Sequence, residues 1–196
     1  MGIILASASP RRRELLELLG VKNLKIMPAD TDETVAAMSP EAEVQAIALE
    51  KAKAVAAKSA AADVVVAADT LVYLEGEALA KPADDSDAFR MLRQLSGARH
   101  TVYTGVALVQ GNRELTFAEK TDVYFRKLTD AEIHAYIQTG EPMDKAGAYG
   151  AQGRGAMFIE RIDGDFFNVV GLPLCRLVVM LRRFGIDLAG EMTSNR

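Results

Sequence analysis

Three consecutive arginines, Arg11, Arg12 and Arg13, follow directly on the segment IILASASP. An apolar run that passes through small residues into a helix N-terminus leaves backbone N–H groups unpaired, and these attract anions. Ser7 and Ser9 add hydroxyl donors, and an arginine guanidinium adds a planar fork suited to phosphate. Positive charge at that end of a helix opposes the dipole by roughly 0.3–1 kcal/mol per charge at low salt, so three arginines there favour an anionic partner. Taken alone, the segment is equally compatible with a solvated first turn carrying ordinary surface arginines. It is not a P-loop, which needs GxxxxGKS or GxxxxGKT, and no GxGxxG follows a strand.

Other candidates are scattered. Asp69 and Thr70 close the run VVVAADT. A carboxylate at the carboxyl end of a buried strand stands where α/β folds place ligands, suited to a hard cation or to orienting a water; a turn or N-cap aspartate has the same signature. Glu33, in TDETV, reads by itself as solvated, Lys51 lies on an exposed-looking helix rich in lysine, and Lys81 precedes Pro82. In MDKAGAYGAQG the glycines permit close backbone approach, while Asp144, Lys145 and Gln152 offer polar contacts. Because a passive loop has no use for the aromatic Tyr149, this segment is expected to face a ligand.

The elements that must position these residues follow from local pattern. Ile3 to Ala6 predict a short buried strand, and Leu15 to Leu19 a helix closed by Gly20. Leu24 to Met27 predict a second strand. Ser39, Pro40, Glu41 and Glu43 mark the start of a long helix. DVVVAAD reads as a central strand ending in its aspartate, and LVYLEGEALAK as a hairpin turning at Glu75 and Gly76. A helix follows over Asp84 to Ser96. Two alternating segments flank Gly111 and Asn112, an antiparallel pair. Thr129 and Glu132 form a capping box. GEPMDKAGAYGAQGRGA predicts a loop, MFIERIDG a strand, and Pro173 begins a last helix ending near Gly185. Residues 190–196 are expected to form a disordered tail. This order implies an α/β fold with a mixed parallel and antiparallel sheet in a single domain.

Composition narrows the function classes. The 196 residues are 49% hydrophobic and 26% charged, with a formal net charge of −4. That balance argues against bulk affinity for nucleic acid or anionic membrane while leaving room for a local basic pocket. The lone Cys175 excludes an internal disulfide and reads as an inert buried thiol; with only His100 and His134 besides, a His/Cys zinc site is not expected. No leader or membrane-length apolar run is visible, so a soluble cytoplasmic protein is expected.

Together these segments resemble the Maf family of nucleoside triphosphate pyrophosphatases. The resemblance covers nearly the whole chain, through LASASPRRRELL, DTDE, EKAKA, AADTLV, KPADDSDAFRMLRQLSG, HTVYTGVAL, FRKLTDAEIHAYIQTGEPMDKAGAYGAQG and GDFFNVVGLPL in order. It implies hydrolysis between the α- and β-phosphates with a divalent cation, Mg²⁺ or Mn²⁺. It also implies an elongated two-lobed fold with a central cleft, similar to inosine triphosphate pyrophosphatases, and a homodimer as the possible assembly. By the same resemblance Asp69 is the catalytic acidic residue, and Ser7, Arg12, Glu33, Lys51 and Lys81 are active-site polar positions. Asp69 and Glu33 are then the plausible metal ligands. Arg11, Thr70 and Gln152 match the triplet of the branch acting on dTTP and UTP rather than 7-methyl-GTP. Ala151 replaces a frequent isoleucine, and Phe166 replaces a frequent tyrosine and lacks its hydroxyl.

Base choice has a chemical logic. Uracil and thymine present an N3–H flanked by two carbonyls, which a glutamine amide and an arginine or threonine donor complement. Cytosine turns one carbonyl into an amino group, and a buried mismatch of that kind costs roughly 1–3 kcal/mol per unpaired group. Preference for dTTP and UTP over CTP is therefore expected, with purines excluded by size. The rival readings are a pyrophosphatase for 7-methyl-GTP or ITP and a non-catalytic nucleotide-binding regulator of septum formation.

Overall fold

The computed structural model describes residues 2–31 and 39–188. The Ile-Ile-Leu strand β1 (Ile3–Leu5) is buried throughout, as a strand with a parallel neighbour on each side must be. Those neighbours are β2 (Lys25–Ile26) and β3 (Val64–Leu74). Helix α1 (Pro10–Leu18) links β1 to β2, and α2 (Pro40–Ala56) precedes β3. The remaining strands are β4 (Glu77–Leu79), β5 (Arg99–Gln110), β6 (Arg113–Phe125) and β7 (Ile159–Asp163). The sheet runs β2-β1-β3-β5-β6-β7, with β4 paired to β3. The β3–β4 and β6–β7 pairings are antiparallel. Gly111 and Asn112 join neighbouring β5 and β6 by a connection short enough only for an antiparallel pair. The mixed α/β sheet expected from sequence is present.

The chain divides into two compact units, the first comprising Met1–Asp69, Thr104–Glu119 and Gly171–Arg196, the second Thr70–Tyr103 and Lys120–Val170. In the first, α2 lies over one face of the strands, burying Ala48, Ala52 and Val55 against Ile4, Ala6, Val65, Ala67, Ala107 and Val109. Small residues permit close approach, and at Gly105 a Cβ would strike the backbone carbonyl of Val44 in α2. Ser39 caps α2 by accepting from the Ala42 amide at 3.3 Å, the start anticipated from sequence. Helix α6 (Leu174–Arg182) turns Leu174, Leu177 and Leu181 inward.

The second unit packs α3 (Asp85–Leu95) and α4 (Asp130–Ile137) over Val72, Leu74, Val102, Val123 and Phe125. Asp84 caps α3, and the Thr129–Glu132 capping box opens α4 as the sequence suggests. A five-residue helix, α5 (Phe166–Val170), completes this unit.

Three expectations are corrected. β3 does not stop at Asp69 but continues to Leu74, because Val72, Tyr73 and Leu74 pair with β4. Cys175 is exposed rather than buried, since the leucines of α6 take its inner face. The glycine-rich segment is not an open loop: it folds into three short 3₁₀ turns, Glu141–Asp144, Ala146–Ala148 and Arg154–Phe158, with Gly147, Ala148 and Tyr149 buried. The expected tail, 190–196, lies outside the described residues. No helix among the described residues is long and apolar enough to cross a membrane.

Candidate active site

Strand order reverses at β1: the chain crosses from β1 to β2 on one side, then returns to β3 on the other. In open α/β sheets ligands bind beyond the carboxyl ends of the strands at such a switch point. Leu5 pairs with Val66, and the Ala6 amide extends the ladder to the Val66 carbonyl at 2.8 Å. Ser7 and Asp69 therefore continue from the same end of two adjacent parallel strands.

Alternation along β3 puts Val65, Ala67 and Asp69 on one face. Val65 and Ala67 are packed by Ala48, Ala52 and Val55 of α2, so the polar member of the series meets the same helix. There Lys51 Nζ donates to Asp69 Oδ1 at 2.8 Å, and each side chain is 12% exposed. Lys51 is thus not on the solvated face that its lysine-rich surroundings suggest. The aspartate is a strand-interior carboxylate held by an ion pair, which excludes the turn or N-cap alternative.

The three arginines part ways. Arg13 makes an exposed pair with Glu17 at 2.7 Å, one turn along α1, which is the ordinary surface role. Arg12 is half-buried and turns toward the strand end, donating from Nε to the Gly171 carbonyl at 2.9 Å and from Nη1 to Ser7 Oγ at 3.1 Å. Ser7 Oγ also accepts the Ser9 amide at 3.2 Å. Helix α1 has no side-chain N-cap bond and no acidic residue in its first turn, so its positive end is not neutralised from within. Arg11, on that same first turn, is half-buried.

Ser7, Arg11, Arg12, Lys51 and Asp69 all belong to the first unit, whereas Thr70, Lys81 and Gln152 belong to the second. Glu33 lies outside the described residues. Within the second unit, Lys81 is exposed and follows Ala80, whose carbonyl accepts the Gly147 amide at 3.1 Å. Gln152 is exposed on the turn closed by the Gly153 amide to the Gly150 carbonyl at 3.2 Å. Tyr149 does not face a ligand. Its ring packs on Phe125 and His100, and its hydroxyl shares a 2.8 Å hydrogen bond with His100 Nε2. Burial pushes that hydroxyl well above the usual tyrosine range. Lys145 also serves the fold, bonding the Glu141 carbonyl and Asp144 Oδ1, each at 2.6 Å.

Glu141 is not marked out by its residue type or by local pattern. Burial alone would raise its carboxyl, but the Arg154 amide, the Tyr136 hydroxyl, the Gly155 amide and nearby Lys145 outweigh this and hold it below the usual range. The available signal was the spacing of Gly150, Gly153 and Gly155, since a side chain at the first two would press on Glu141 and at the third on Tyr136.

A hard divalent cation takes oxygen ligands, keeps several waters and binds through one or two carboxylates plus substrate phosphates. The described residues contain no group of three His, Cys, Asp or Glu that could cage a metal. Asp69, mostly buried and with Lys51 on only one oxygen, is the kind of single donor such a cation uses when phosphate supplies the rest. Among the described residues, this carboxylate suits a hard cation such as Mg²⁺ or Mn²⁺ that also takes phosphate oxygens.

The family model described as "Maf-like protein" matches residues 2–184. The chain belongs to the Maf family. Among its relatives, a dTTP/UTP pyrophosphatase from Moorella thermoacetica is 53% identical over 193 residues, 97% of this chain and 98% of that protein. A dTTP/UTP pyrophosphatase from Bacillus cereus is 49% identical over 187 residues, 95% of this chain and 97% of that protein. The solved structure of a HAM1 protein from Coxiella burnetii aligns with TM-score 0.54 at 16% identity, covering 93% of this chain and 99% of that one. That likeness establishes a shared fold.

Proposed function

We propose that this Maf protein is a nucleoside triphosphate pyrophosphatase that hydrolyses dTTP and UTP to the monophosphate and pyrophosphate. The observation that carries the reading is the convergence at the β1–β3 switch point of a cationic helix N-terminus and a buried Lys51–Asp69 pair. It is supported by the names of relatives about half identical over nearly the full length.

A triphosphate carries about four negative charges that an attacking water must approach. The N-terminus of α1, with Ser7 and Arg12, binds one phosphate group in a fixed orientation, and by the family resemblance Lys81 is the residue that neutralises the departing pyrophosphate. Lys51 holds Asp69 Oδ1, which leaves Oδ2 for one of two roles, either to take the proton of the attacking water as the new O–P bond forms and the bridging α–β bond breaks, or to hold the cation near that water. Asp69 and Glu33 are the residues that would hold a divalent cation; when bound, it supplies further neutralisation of the phosphate oxygens. By the family resemblance, Gln152, Arg11 and Thr70 are the residues assigned to reading the pyrimidine edge. The nucleotide pool places the reaction in the cytoplasm, and a homodimer is the assembly that the family resemblance suggests.

The test is pyrophosphate release from a panel of dTTP, UTP, CTP, 7-methyl-GTP and ITP, with and without Mg²⁺ or Mn²⁺. Release from dTTP and UTP above the others supports the reading. Preference for 7-methyl-GTP or ITP transfers the protein to a purine-clearing role, and no release from any nucleotide leaves a binding regulator.

A further inference from the structure

In the second unit one carboxylate organises the glycine-rich segment. Glu141 Oε1 accepts from the Tyr136 hydroxyl at 2.8 Å and the Gly155 amide at 3.2 Å, and Oε2 accepts from the Arg154 amide at 2.9 Å. The Tyr136 hydroxyl in turn accepts the Gly150 amide at 3.1 Å. Both ends of the Gly150–Gly153 turn are thereby tied to Glu141, at the far end by the two amides just after it and at the near end through Tyr136. The glycines make the wrapping possible. A Cβ at Gly150 would stand 2.7 Å from Lys145 Cε and 3.0 Å from Glu141 Oε1, one at Gly155 would stand 2.9 Å from the Tyr136 hydroxyl, and one at Gly153 would overlap the carboxylate. Gln152 is the exposed side chain that this turn carries.

We infer that Glu141 is a positioning residue for base selection, holding the Gly150–Gly153 turn so that Gln152 meets the pyrimidine edge in one orientation. The inference rests on the reading of Gln152 as the base-contacting residue. A turn of glycine, alanine, glutamine and glycine has wide backbone freedom of its own. An anchor that removes this freedom before substrate arrives spares the complex the ordering cost and stops the amide adapting to the wrong base. Hydrogen bonds from backbone amides to an ionised carboxylate are among the stronger ones available for that task.

The test compares kcat/KM for dTTP and CTP in the full-length wild type, Glu141→Gln, Gln152→Ala and the double variant, with melting followed by circular dichroism. Glutamine keeps one acceptor oxygen but faces the other amides with an N–H₂. The dTTP/CTP ratio is expected to fall roughly tenfold in Glu141→Gln, the size of one lost charge-assisted bond, and to show no further fall when Glu141→Gln is added to Gln152→Ala. An unchanged ratio in folded Glu141→Gln, or an equal loss of kcat on both nucleotides, overturns the inference while leaving Gln152 as base reader. A further fall in the double variant also overturns it, because Glu141 would then act by another route. If Gln152→Ala itself leaves the ratio untouched, the base-reading assignment falls and the inference with it. Should Glu141→Gln fail to fold, Tyr136→Phe, which frees only the Gly150 end, is expected to lower the ratio in the same direction, and an unchanged ratio there counts against the inference.

Discussion

Lys51 Nζ stands 2.8 Å from Asp69 Oδ1, and both side chains are largely shielded from solvent. The contact exists because a strand of alternating facing and a helix of three-to-four residue spacing share one interface. Val65 and Ala67 lead along β3 to Asp69, while Ala48, Ala52 and Val55 flank Lys51 on α2. Replacing either partner therefore tests stability and chemistry at once, and the two can be separated.

Lys51→Met leaves an uncompensated carboxylate in a mostly buried place, which costs about 3 kcal/mol and lowers the urea midpoint accordingly. Asp69→Asn keeps an acceptor for Lys51, so it remains folded but loses at least about 100-fold in kcat, the usual contribution of a positioned proton acceptor. The double variant Lys51→Met with Asp69→Asn recovers most of the stability and none of the pyrophosphate release. Wild-type turnover by folded Asp69→Asn would remove that carboxylate from the reaction.

Gly105 is a second point of leverage. A Cβ there collides with the α2 backbone at Val44, and backbone yields less readily than a flexible side chain. Gly105→Ala should destabilise by about 1–3 kcal/mol and shift α2, so that kcat falls together with the melting temperature. A variant with unchanged stability would show that helix and strand can separate at no cost.

His100 predicts an acid limit to stability. Burial, only partly countered by Asp122, lowers its pKa to about 4, below the roughly 6.5 of an unfolded histidine. Between those values the unfolded chain binds the proton and the folded chain does not, so stability rises with pH across that window. The contribution is whole above about pH 6.5 and is lost as pH falls toward about 4, amounting to about 3 kcal/mol for a shift of that size. Urea unfolding of wild type and His100→Gln between pH 4 and pH 7 reads it out. The slope should flatten in the variant, and an unchanged slope would assign the acid sensitivity to other groups.

Much of this protein was written locally. The caps at Ser39 and Thr129, the hairpin turns at Gly76 and Gly111, and the glycine closing the first helix need only near neighbours in the chain. Their chemistry is short-ranged, so the element order and the mixed α/β class could be read before any coordinates. Motifs spread over nearly the whole length likewise carried the Maf resemblance, which the family match over residues 2–184 bears out.

Local pattern was silent on which side of each element would be covered, because burial depends on segments remote in sequence. Asp69 looked like the end of a strand only because the pairing of Val72 with Leu79 is not a property of VVVAAD. Lys51 looked solvated until Val65 and Ala67 brought its face of α2 inward, and Cys175 looked buried until the leucines of α6 claimed the other side. Arg12 and Arg13 are adjacent and chemically identical, yet one bonds Ser7 and the Gly171 carbonyl while the other stays at the surface with Glu17. Tyr149 was given to His100 and Phe125 rather than to a ligand. Sequence by itself determined the elements and the family; tertiary structure decided which charged and aromatic groups left water, since desolvation is set by the packed neighbourhood and not by the order of residues along the chain.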